Sequence, residues 1–131
     1  MRALLLAILC LAAPPAMAAV ACPDRLPEIA PGSFERGGLG AGRGGNTPLR
    51  EVWVIDGVPG DETAGAPTIL HPDETRGRPP RAVNAWRIPA DEPRLLVCIY
   101  GEGTWLRQAI PAGTRRCTQS VEPPRMTMRC E

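Results

Sequence analysis

Few side chains in this sequence are equipped for chemistry, and their spacing decides which chemistry. The stretch "GGLGAGRGGN", residues 37–46, puts Gly40, Gly42 and Gly45 at the G-x-G-x-x-G spacing of a phosphate-cradling loop. Such a loop must follow a strand and open a helix, whose N-terminal amides and dipole hold the pyrophosphate. Here the glycines follow "PGSFER" and lead into "NTPLR", so neither flank fits. A P-loop needs a lysine, and the chain has none. The stretch predicts a flexible surface loop over 37–46, with no cofactor.

His71, in "TILHPDE", is the single histidine. A nucleophilic triad also needs a serine, and Ser33 and Ser120 both lie outside a G-x-S-x-G context. His71 is expected in an exposed loop before Pro72. Three acidic doublets recur: Asp61-Glu62, Asp73-Glu74 and Asp91-Glu92. Two such loops on one sheet edge could bind Ca²⁺ or pair carboxylates for glycoside chemistry. The turn preference of Asp predicts solvated turns instead. With few catalytic groups on offer, the residues predict no enzyme.

Four cysteines remain beyond the leader described below: Cys22, Cys98, Cys117 and Cys130. No C-x-x-C pair occurs and one histidine is too few for a zinc site, so no metal is expected. An even count in a small exported chain reads as two disulfides. Cys117 and Cys130 flank the turn "EPPR", Glu122 to Arg125, and would face each other across a hairpin. A non-hydrogen-bonded antiparallel pair brings Cα atoms to about 4.5 Å, within disulfide reach. Cys22 is then expected to pair with Cys98, with two other connectivities open. Of the aromatics, Trp53, Trp86 and Trp105 fall on separate β-segments and form a candidate binding surface; burial in the core is the alternative.

The elements that position these residues are short. The chain holds 14 Gly and 16 Pro. Beyond the leader the longest run free of both is residues 114–122, too short for an ordinary helix. Strands are expected at 49–56, 67–70, 82–88, 94–100, 104–110, 115–121 and 126–130, with a further edge strand within 22–29. In 94–100, "RLLVCIY", both alternating faces are apolar, which predicts a central strand covered on each side. The fold class is all-β: a small antiparallel sheet, sandwich or partly open barrel of about 6–8 short strands, stapled by two disulfides.

The first eighteen residues read as an address. Arg2, the apolar run 3–13, the break at Pro14-Pro15 and "AMA" at 16–18 make a secretory signal cleaved after Ala18. The run is shorter than the roughly 20 residues a membrane span needs. An alternative is a lipoprotein anchored at Cys22, in "AAVAC", although Ala19 replaces the usual Leu. Residues 19–131 form one domain, and their arginines and carboxylates balance. That balance gives no reason to expect nucleic acid as a partner.

The order of several short motifs resembles the STY-type family of small exported proteobacterial proteins of unknown function. They are "CP" at 22–23, "DGVP" at 56–59, "LHPD" at 70–73, Trp86, "LLVCIY" at 95–100, "AIPAGTRRC" at 109–117 and Cys130. Phe34 stands where the family carries a Gly-Trp pair. The resemblance implies export and paired cysteines, and no activity. The residues thus point to a periplasmic, non-catalytic binding module with an envelope protein or ligand as partner. The first alternative is an inhibitor of an envelope hydrolase such as a lysozyme, inserting loops 57–66 or 72–81 into a cleft. The second is a hydrolase using the acidic loops.

Overall fold

The strand with two apolar faces sits where those faces can both be covered. In the computed structural model, which describes residues 19–38, 45–57 and 68–131, nine strands form two antiparallel sheets. They are β1 (Val20–Ala21), β2 (Glu35–Gly38), β3 (Leu49–Asp56), β4 (Glu74–Arg78), β5 (Arg81–Arg87), β6 (Arg94–Tyr100), β7 (Thr104–Ala109), β8 (Arg116–Glu122) and β9 (Arg125–Cys130). One sheet has the order β1-β9-β8-β5-β4 and the other β2-β7-β6-β3. β6 lies inside the second sheet, between β7 and β3.

The sheets pack through a shared core. The four-stranded sheet contributes Val52, Val54, Leu96, Tyr100 and Leu106, and the five-stranded sheet contributes Trp86, Met128 and Val20. Both disulfides lie in this core. Cys22–Cys98 joins the segment after β1 to the middle of β6, across a sequence separation of 76. The Cys22 N–H donates to Met128 O on β9, so the bridge ties the two sheets together. Cys117–Cys130 links the facing positions of β8 and β9, with Cα atoms 3.9 Å apart. The next pair along, Arg116 and Glu131, exchanges both backbone hydrogen bonds. That leaves the cysteines at the close, non-hydrogen-bonded site the sequence implied.

Several expectations change. The N-terminal strand is Val20–Ala21 on β9; residues 22–29 instead make an isolated bridge, Arg25 to Pro48. The edge position suits a segment whose Pro23 and Pro27 lack ladder donors. Of the expected strand 67–70 the structure describes 68–70, and there Ile69 forms an isolated bridge to Ile55. Residues 72–81, expected as a loop, contain β4, an edge strand hydrogen-bonded to β5. Gly37 and Gly38, the start of the glycine stretch, are strand residues opposite Trp105 and Thr104. Gly38 has φ 96° and meets the Gly103 carbonyl so closely that a Cβ would sit 1.9 Å from its oxygen. Residues 39–44, with Gly40 and Gly42, and the leader 1–18 lie outside the described residues.

Candidate functional site

The three tryptophans separate onto different faces. β5 points Trp86 between the sheets, where it is 5% exposed and its indole N–H donates to Leu70 O at 3.0 Å. Trp86 is a core residue. Trp53 on β3 and Trp105 on β7 lie on the outer face of the four-stranded sheet, on either side of β6. There they pack with Ile99 against a second small cluster, Ile55, Leu95 and Val97.

The polar ends of this face are satisfied. The Trp53 indole N–H donates to Glu51 Oε1 at 2.7 Å. The Arg107 guanidinium stands 5.0 Å above the Trp105 ring and donates through Nε to Glu35 Oε2 at 2.7 Å. The Trp105 ring lies flat across β2, because Gly37 has no side chain to hold it off. An open depression of about 360 Å³ adjoins it, lined by Ser33, Glu35, Arg107, Gln108, Ala109 and Pro111. Half-buried rings over buried aliphatics make this face a minor core with an amphipathic rim.

The candidate acid–base groups do not converge. His71 is exposed before β4, Ser33 lies in the turn before β2, and Ser120 is on β8. Glu74 is held by the guanidinium groups of Arg116, Arg87 and Arg76, at 3.2, 3.7 and 3.9 Å. Asp73 accepts the Arg87 backbone N–H. Glu92 and Asp56 both pair with Arg94, a nearly buried cation. Asp61-Glu62 and most of loop 57–66 lie outside the described residues. Each of these carboxylates is already engaged by an arginine or a backbone N–H, and no two of them face a common cleft.

Among the described residues, Tyr100 is the one strongly perturbed titratable group. Burial, and after it the Asp24 carboxylate, push its phenol well above the ordinary tyrosine value. Its hydroxyl donates to Pro23 O at 2.7 Å, beside the Cys22–Cys98 bridge. The group is a structural pin for the N-terminal segment.

What the structure offers is surface. Among the described residues, two sheets stapled by two disulfides present two outer strand faces. A family model described as type VI secretion system Tli immunity protein matches residues 44–131, a span that contains β3 to β9. The chain belongs to this family. No curated protein and no solved structure matches it. The STY-type resemblance implied no activity; the description of the matching family names a role, immunity.

Proposed function

We propose that the protein is a stoichiometric inhibitor: it binds a toxin delivered by a type VI secretion system and blocks it without chemistry. Membership of the immunity family carries this reading. It favours the inhibitor alternative over the more general binding module. Two disulfides support action in an oxidising envelope compartment. Since the Cys22 sulfur is bonded to Cys98, it favours the form cleaved after Ala18 over a lipid anchor at Cys22, because one sulfur does not serve both.

The test is a competition between siblings. A recipient lacking this chain is grown in contact with its type VI-armed parent, and survivors are counted. The recipient should be killed, and should survive when the chain is restored or when the attacker's secretion apparatus is inactivated. Equal survival with and without the chain would remove the immunity reading.

A further inference from the structure

Alternation along the five-stranded sheet gathers arginines on its outer face. β4 contributes Arg76 and Arg78, β5 Arg81 and Arg87, β8 Arg116, and β9 Arg125 and Arg129. Their strand neighbours Cys117, Met128 and Cys130 point inward and are buried. Seven of the chain's 15 cationic side chains therefore share one face. Glu74, Glu122 and Glu131 share it too, and an excess of four positive charges remains. The whole chain has a formal net charge of +1, so the rest of the molecule is net acidic.

Two features show that the face is arranged against its own stability. Arg87 sits directly opposite Arg116, and Arg78 directly opposite Arg81. Like charges at facing positions of an antiparallel pair are destabilising. Glu74 offsets Arg87 and Arg116. Arg78, Arg81 and Arg125 have no carboxylate partner among the described residues.

The shape of the face suits a protein partner. Its centre carries Val83, 39% exposed, beside Ser120 and Thr127 in the same cross-strand row. Small and apolar groups ringed by arginine match the anatomy of an interface, with a core that excludes water and a charged rim. Arginine presents a planar fork that grips a carboxylate with two hydrogen bonds. The two hairpin turns, Arg78-Pro79-Pro80-Arg81 and Glu122-Pro123-Pro124-Arg125, emerge at the same end of the sheet, since Ala82 pairs with Val121. Proline restricts both tips, which reduces the ordering that binding requires.

We infer that this arginine face, from Arg87 and Arg116 to the Arg78–Arg81 tip, docks a carboxylate-rich surface of the toxin. The inference rests on the immunity reading and adds to it the surface used and the charge of the partner. The probe is the effector whose deletion from the attacker abolishes killing, purified and titrated against the purified chain. Arg78→Glu/Arg81→Glu is the main variant, because neither side chain holds the fold. Arg50→Glu, exposed on β3, is the control. Disulfide content and melting temperature confirm folding for each.

The wild-type dissociation constant should weaken at least about tenfold between 0.05 and 0.5 M NaCl. The double variant should weaken it by about 100-fold or more, and the control by less than about threefold. A folded double variant that binds as tightly as wild type overturns the inference and leaves the immunity reading intact. Wild-type protein that does not bind this effector removes both. If the variant binds the effector normally but loses binding to phosphatidylglycerol vesicles, the face is a lipid surface and the inference fails.

Discussion

Arg116 on β8 reaches past Ala85 on β5 to Glu74 on β4, closing to 3.2 Å. The link spans three strands and covers Ala85, which is 4% exposed although it faces outward. Glu74 thereby restrains part of an otherwise repulsive face. Glu74→Gln should lower stability by about 1 kcal/mol or less, because the pairs are partly solvated. It should also raise the association rate for an acidic partner. Thermal melts and stopped-flow binding at low salt check the two effects separately.

The Cys22–Cys98 bridge closes much the longer loop. The chain-entropy relation assigns it about 4 kcal/mol, against about 3 kcal/mol for Cys117–Cys130. Cys22→Ala/Cys98→Ala should therefore lower the denaturant midpoint more than Cys117→Ala/Cys130→Ala. Urea unfolding of the two double variants makes the comparison.

Tyr100 is the only tyrosine, so tyrosinate absorbance reports on it alone. Its pKa is raised in the folded state, mainly by burial. An unfolded chain ionises near pH 10, so the folded form binds the proton more tightly there. This contribution is constant below pH 10, and stability falls as pH rises through that value. Absorbance near pH 10 should show less tyrosinate in the folded protein than after denaturant is added. Tyr100→Phe should abolish this pH term and lose about 1–2 kcal/mol, leaving the Pro23 carbonyl without its donor.

Gly37 should not tolerate a methyl group. A Cβ there would lie 2.2 Å from Trp105 Cζ2, so the ring must move. Gly37→Ala should destabilise by about 1–3 kcal/mol, the range for overpacking, and red-shift the tryptophan emission as Trp105 is exposed. Chemical denaturation followed by fluorescence reads both.

Much of the scaffold was legible because its strands carry their own punctuation. "LREVWVID" and "RLLVCIY" stop at Gly57 and Gly101, and Leu49–Asp56 and Arg94–Tyr100 are strands at the expected bounds. The cysteine pairing followed from the symmetry of the "EPPR" turn. β4 escaped because Glu-Thr-Arg-Gly-Arg has no apolar alternation; its strand form comes from pairing with β5. β2 escaped because Glu-Arg-Gly-Gly lies in a glycine-rich stretch and is held by β7. Trp86 could not be separated from Trp53 and Trp105 without knowing which face of each strand meets the other sheet. The arginine face was hidden for the same reason. Its residues are spread over 76–129 and meet only once β4, β5, β8 and β9 are placed side by side.

The most direct measurement is a titration of the purified effector's toxic activity with the purified chain. A binding inhibitor gives an end point at a fixed molar ratio that does not drift with incubation time. That is the result expected here. Complete inactivation by trace amounts of the chain, increasing with time, would mean it destroys the toxin catalytically. Undiminished activity at large molar excess would mean it does not bind the toxin. Either outcome contradicts the account.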